Sequence, residues 1–299
     1  MFKNINGYIL LNKGYDISSN KALQKVRRLF NAKKAGHTGA LDPLATGMLP
    51  ICFGEGTKYS SYLLDSDKTY RVRAKLGEKT STADAEGEIL ESSSLVPSQE
   101  GVRLALFSFL GESKQIPSMF SALKYNGKPL YKYAREGIEV ERKARDIKIS
   151  FIENFDYEYP FVSFDIKVSK GTYIRNLVED FGDKLKTYAF VKDLHRLSVD
   201  PFEASMMITF EELEVMSEDE LNSRLYNIES MLKFDSKVLS QEELVEISYG
   251  RRISSGLIDL LDGSFIQLKT PSNEFIGLGV LEDGFIYPKK MFSNISSYI

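Results

Sequence analysis

Near the start of the chain, Gly7 to Asn12 reads GYILLN, a short apolar run that predicts a strand leading to Lys13. Ser18, Ser19 and Asn20 then offer N-caps for a helix reaching about Asn31, with Leu23, Val26, Leu29 and Phe30 on one buried stripe. The opposite face carries Lys21, Gln24, Lys25, Arg27 and Arg28, and Lys33 and Lys34 continue it. From Tyr70 the period falls to two: Tyr70, Val72, Ala74 and Leu76 alternate with Arg71, Arg73 and Lys75, predicting a strand with one basic face. Thr80 to Gly87 reads as a loop whose Asp84 and Glu86 suggest no chemistry, and an amphipathic helix is expected around Glu100 to Leu110. Alternation returns at Phe161 to Ser169, with Val162, Phe164, Ile166 and Val168 inward. After Lys170-Gly171-Thr172 a helix follows with the stripe Ile174, Leu177, Val178, Phe181 and Leu185. Glu203 to Glu229 is acidic with helical spacing, and beyond Phe234 come β-like runs at Ser264 to Lys269, Phe275 to Val280 and Phe285 to Tyr287.

A length of 299 residues suggests about two domains and a sizeable core. One cysteine excludes an internal disulfide framework. No signal-like N-terminus and no apolar run of about 20 residues occurs, so a cytoplasmic protein is expected. Cys52 sits in an apolar stretch without a flanking histidine and reads as a buried thiol; with only His37 and His195 available, a zinc finger is excluded. Formal net charge is −3, yet it is unevenly spread: residues 1–80 hold 14 Lys and Arg against 6 Asp and Glu, and residues 201–299 hold 8 against 17. The positive end suits phosphate contacts. Ser118 to Lys148 adds Lys124, Lys128, Lys132, Arg135, Arg142, Lys143, Arg145 and Lys148 interleaved with Tyr125, Tyr131 and Tyr133. That texture suits RNA backbone and exposed bases, although a solvated surface would look similar.

The candidate chemistry lies in Gly36 to Pro50, GHTGALDPLATGMLP. Its glycines and Pro43 specify backbone, so an ordered loop is expected around a lone acid, Asp42. Taken locally, Asp42 also fits a plain turn cap before Pro43. Neither a phosphate-loop motif nor a dinucleotide-binding glycine motif is present. Arg175 falls in the first turn of its helix, where a cation opposes the helix dipole and calls for an anion. Alone, it reads as a surface or structural ion-pair residue.

Asn31 to Lys58, NAKKAGHTGALDPLATGMLPICFGEGTK, closely resembles the bacterial tRNA pseudouridine synthase B family. Similar stretches recur in order as KTYRVRAKLGEKTSTADAEG from Lys68, SMFSALKYNGKPLYKYAREGIEVERKARDIKI from Ser118, SKGTYIRNLVEDFG from Ser169 and LHRL from Leu194. Departures are Lys13-Gly14-Tyr15-Asp16-Ile17-Ser18-Ser19, which loosens the family's usual Lys-Pro-x-Gly-x-Thr-Ser, and Ser118 in place of a common proline.

The resemblance implies an α+β fold, a mixed and largely antiparallel sheet flanked by helices. A catalytic domain would span 1–233, with an RNA-binding thumb inserted at about 113–150, and a small β-rich PUA-like domain would span 234–299. It implies Asp42 as the catalytic carboxylate, with Arg175 pairing to it and lowering its pKa. Tyr70 becomes the uracil platform, Tyr173 and Leu194 complete the pocket, His37 touches the RNA, and Lys13 belongs to the substrate-binding set. The expected partner is the T stem-loop of tRNA, bound by a monomer, with no membrane, metal or cofactor. Two readings from other classes compete: an RNA chaperone indifferent to Asp42, and a nucleoside hydrolase, which would use a second positioned acid.

Overall fold

The computed structural model describes residues 2–256 and 260–299. One nine-stranded sheet organises the first part of the chain. Across it run the strands Ile208–Thr209, Gly7–Lys13, Thr46–Phe53, Ala189–Val199, Lys68–Leu76, Phe161–Val168, Arg145–Glu158 and Gly111–Gln115, and Ala35–His37 pairs with Thr46–Phe53. Two pairings are parallel, Gly7–Lys13 with Ile208–Thr209 and Ala189–Val199 with Thr46–Phe53; the remainder are antiparallel. The fold is thus the expected α+β arrangement.

Which strands read as continuous apolar runs follows from what covers them. In Gly7–Lys13, Ile9 and Leu11 enter one core while Tyr8 and Leu10 enter another on the opposite face; Leu49, Ile51 and Phe53 are separated from Met48 and Cys52 in the same way. Burial on both faces removes any reason to alternate. Lys68–Leu76 is buried on one face only, and its Arg71 and Arg73 are exposed on the other. Helices Ser19–Leu29, Gln99–Phe107 and Ile174–Lys184 close the first core with Val26, Leu106 and Val178 against Ile9, Val72, Phe164 and Val191. Ser18 caps the first of these helices, accepting from Lys21 N at 3.2 Å.

A second, five-stranded sheet comprises Ser236–Val238, Phe265–Lys269, Phe275–Glu282, Phe285–Met291 and Ile253–Ser254. Phe275 and Leu278 from it share a core with Tyr8, Met48, Tyr59 and Val199, so it packs against the back of the main sheet. The two-residue and three-residue strands there, and helix Gln241–Ser248, gave no sequence signal, being too short or too acidic to show a period.

Gly36 to Pro50 departs from expectation, for it is not a loop throughout: Ala35–His37 and Thr46–Phe53 are strands, and the irregular part is confined to residues 38–45. Both flanks pair as strands, and the second is buried from Gly47 on.

Candidate active site

Three buried polar side chains hold the short 38–45 loop by its backbone. Leu41 N donates to Ser19 Oγ at 2.8 Å, and the same hydroxyl donates to Leu41 O at 2.9 Å. Lys13 Nζ donates to Gly14 O (2.9 Å), Ile17 O (2.8 Å) and Pro43 O (3.2 Å). Arg196 Nε donates to Met48 O at 2.6 Å and its Nη2 to Gly39 O at 3.0 Å. Gly47, at φ +98°, allows the close approach of the Arg196 strand: a Cβ there would lie 2.3 Å from Arg196 O. The loop is therefore fixed before any ligand arrives, and Asp42 projects from it.

Arg175 Nε lies 3.0 Å from Asp42 Oδ2 and Nη1 lies 3.3 Å from Asp84 Oδ2. Nη1 also donates to Thr82 O (3.1 Å) and Nη2 to Phe120 O (2.7 Å). With a residue exposure of 5%, Arg175 is no surface ion-pair residue. The anion its helix position demands is supplied twice. Asp84, 1% exposed, comes from the loop that looked chemically silent; its Oδ1 accepts from Thr82 Oγ1 at 2.5 Å and from Glu86 N at 3.1 Å. Two carboxylates thus flank one guanidinium.

This arrangement corrects the expected titration of Asp42. Its carboxyl is pushed above the usual carboxylate range, not below it. Loss of hydration between the cleft walls is the largest cause, opposed by Arg175 and Lys13 and reinforced by the Asp84 charge. The side chain nonetheless keeps 39% exposure, toward the cleft.

That cleft, of about 340 Å³, is lined by Asp42, Tyr70, Tyr173, Arg175 and Leu194, bringing five of the seven expected site residues together. Tyr70 borders both the cleft and the main core. Tyr173 is clamped by Gln115, which donates from Nε2 to Tyr173 O (3.0 Å) and accepts from Tyr173 N (2.8 Å). Lys13 and His37 do not line the cleft. Lys13 is 1% exposed behind the loop, and burial brings its pKa down to about 8. His37 sits at the end of its short strand, its pKa lowered by burial and by Arg196.

Ser19, Asp84, Gln115 and Arg196 are the residues sequence reasoning missed as parts of this site. Ser19 had signalled a helix cap, Asp84 and Arg196 lay within family-like stretches without a role of their own, and Gln115 had no local signal. A larger hollow of about 560 Å³ between residues 3–6, Lys33–Lys34 and Ser293–Asn294 has one acid, Glu55, already held by Lys58 and Ser293 N. Among the described residues no three His, Cys, Asp or Glu side chains converge as a metal site. Burial raises the Cys52 thiol to about 12, which keeps it inert.

The family model of the TruB family pseudouridylate synthase N-terminal domain matches residues 27–174, and that of the tRNA pseudouridylate synthase B C-terminal domain matches 175–233. The tRNA pseudouridine synthase B of Mannheimia succiniciproducens is 45% identical, over 97% of this chain and 96% of the relative. That of Yersinia pestis (strain Pestoides F) is 45% identical over 97% and 93%. A crystal structure of a Cbf5-Nop10-Gar1 complex shares the fold at 22% identity, covering 98% of this chain and 86% of that one, with a TM-score of 0.75. An archaeal box H/ACA Nop10-Cbf5 structure does so at 20%, over 98% and 88%, with a TM-score of 0.72. With two family models matched in series over residues 27–233 and relatives 45% identical almost end to end, the chain belongs to the TruB family of pseudouridylate synthases and is an isomerase.

Proposed function

We propose that the enzyme converts uridine-55 in the T arm of tRNA to pseudouridine, with Asp42 as the catalytic carboxylate. The observation that carries this reading is Asp42 itself, anchored by Arg175 and open to a cleft walled by Tyr70, Tyr173 and Leu194. The reaction breaks the C1′–N1 bond, turns the detached uracil and joins C5 to C1′, C5 losing a proton and the freed N1 gaining one, so that the product is an isomer. Asp42 acts at the sugar, by nucleophilic attack or by acid–base work. Tyr70 holds the loose base by stacking, a contact typically worth about 1–3 kcal/mol. Tyr173 and Leu194 close the pocket, and His37 meets RNA beside the extruded nucleotide. Lys13 serves by holding Pro43 O and not by touching substrate.

The target base must leave its stack, at a cost of a few kcal/mol that pocket contacts offset. Residues 1–233 carry the chemistry, the insertion at about 113–150 grips the stem-loop, and residues 234–299 form a PUA-like unit that adds affinity. The enzyme works as a cytoplasmic monomer, without metal or cofactor. No helix among the described residues is long and apolar enough to cross a membrane. The names of the relatives support tRNA as substrate.

The test is pseudouridine mapping at nucleotide resolution in an unmodified tRNA pool incubated with pure protein. A single new pseudouridine at position 55 is expected. Released free uracil would instead indicate a hydrolase, and no change at all a non-catalytic RNA binder.

A further inference from the structure

Four cations line the cleft: Lys68, Arg145, Arg175 and Arg196. Three are occupied. Lys68 Nζ donates to the carbonyls of Leu63 (3.1 Å), Leu64 (2.8 Å) and Ser66 (2.5 Å). Arg175 and Arg196 are bound to the carboxylates and carbonyls described above. Arg145 differs: its Nε and Nη2 are buried and have no hydrogen-bond partner among the described residues. Together those two atoms form the edge of a guanidinium that takes a planar anion side-on. Arg71 uses the same edge elsewhere in this molecule, Nε to Asp165 Oδ1 and Nη2 to Asp165 Oδ2, both at 2.9 Å.

The free edge is held in place by its surroundings. The Arg145 guanidinium carbon lies 4.8 Å from the centroid of the Tyr173 ring. On another side it lies against Gly171, at φ +77°, where a Cβ would come within 3.0 Å of Nη1. Any residue but glycine there would strain the backbone and crowd the guanidinium. Arg145 is also the cross-strand partner of Gln115, which clamps the Tyr173 backbone. A second polar group in the same cleft is likewise unmatched: Ser121, 4% exposed, has a buried Oγ with no partner among the described residues. The preceding residue, Phe120, is fixed through its carbonyl by Arg175. Buried donors left unpaired are uncommon and costly, and here both belong to residues lining one cleft.

We propose that Arg145 and Ser121 form an anion-receiving subsite at the root of the 118–148 segment, taking one backbone phosphate of the RNA next to the uridine that reacts. This rests on the reading of the protein as an RNA-modifying enzyme. Because Gln115 and Arg145 are tied to the elements that place Tyr173 and Arg175, a phosphate seated there fixes the register of the strand relative to Asp42.

The experiment uses stem-loop RNAs in which one phosphate near the target uridine at a time is replaced by a neutral methylphosphonate. Affinity is measured for the wild type, Arg145→Gln, Arg145→Lys and Ser121→Ala. The wild type should lose roughly ten- to hundredfold at one linkage, the range for a charge-assisted fork. Arg145→Gln should bind unmodified RNA weaker by a similar factor and lose nothing further at that linkage. Arg145→Lys, which keeps the charge and not the fork, should fall between, and Ser121→Ala should blunt the same linkage alone. Equal penalties in the wild type and Arg145→Gln at every linkage would overturn the subsite. So would the lack of any sensitive linkage in the wild type, a readout that stands even where a variant fails to fold. Pseudouridine formation by the wild type on the unmodified stem-loop reports separately on the functional reading.

Discussion

Around Asp42, Arg175 meets two carboxylates and two carbonyls, and Arg196, Lys68 and Lys13 are each fixed by backbone oxygens. In the 118–148 segment Lys124, Lys132, Arg135, Lys143 and Lys148 face solvent, and the ion pair made there is exposed and adjustable. Lys128 pairs with the exposed Glu136 and lies 4.5 Å from the Tyr133 ring centroid, and Arg135 lies 5.6 Å from that of Tyr131; Arg142 is the exception, held by Val140 O (3.1 Å) and Pro117 O (3.0 Å). Exposed pairs of that kind contribute about 0.2–1 kcal/mol and exchange readily for phosphate, whereas breaking a buried pair costs about 3–5 kcal/mol. The same residue types therefore do different work. Immobilised cations shape one carboxylate; exposed ones, on the proposed reading, are available to exchange glutamates for RNA phosphates. Arg145 stands between, held in orientation yet lacking a partner for one edge.

The largest effect should come from removing the carboxylate that the buried cations serve. Asp42→Ala should abolish pseudouridine formation, by about 10³-fold or more as for loss of a catalytic nucleophile or base, while RNA affinity changes little. A folded variant that retains the wild-type rate would end the assignment, and a thermal melt controls for folding.

Asp84→Asn attacks the same network from behind and should lower kcat by roughly ten- to hundredfold, part of the buried-pair cost falling on folding instead. It also carries a pH signature. Since the Asp42 pKa is raised above its ordinary 3.8, the acid limb of kcat in the wild type should lie above that value. The Asp84 charge is one of the raising causes, so removing it should move the limb to lower pH. A limb that stays in place would show that Asp84 acts on Arg175 without influencing the ionisation of Asp42, and one that moves upward would reverse the sign assigned to the Asp84 charge.

The smallest effect belongs to the exposed set. Replacing Lys128, Lys132 and Arg135 together by Ala should flatten the slope of log affinity against log salt by about 2, at roughly 0.7–0.9 for each phosphate that is no longer neutralised. Single-turnover rate at saturating RNA should hardly change. An unaltered slope would make these residues solvated surface, and the contrast between the two regions would then rest on burial alone.

Much of this molecule could be read along the chain because strands and helices announce themselves by local period. The runs at Gly7, Tyr70 and Phe161, the cap at Ser18 and the helix containing Arg175 all depend on neighbours within about one or two turns. Asp42 and Tyr70 stood out through motifs of contiguous residues. The parts played by Ser19, Asp84, Gln115 and Arg196 did not, even where a quoted stretch contained the residue, because they are contacts across long stretches of chain: Ser19 with Leu41, Arg175 with Thr82 and Asp84, Arg196 with Gly39. A buried acid in a polar loop has the same letters as a solvated one. Only strand order, which sets Ala189–Val199 between Thr46–Phe53 and Lys68–Leu76, brings Arg196 beneath the loop. Helix packing brings Arg175 between its two carboxylates. The direction of the Asp42 titration was likewise undecidable from sequence, since it is the balance of burial and Asp84 against Arg175 and Lys13, and each of these is set by distance in the fold.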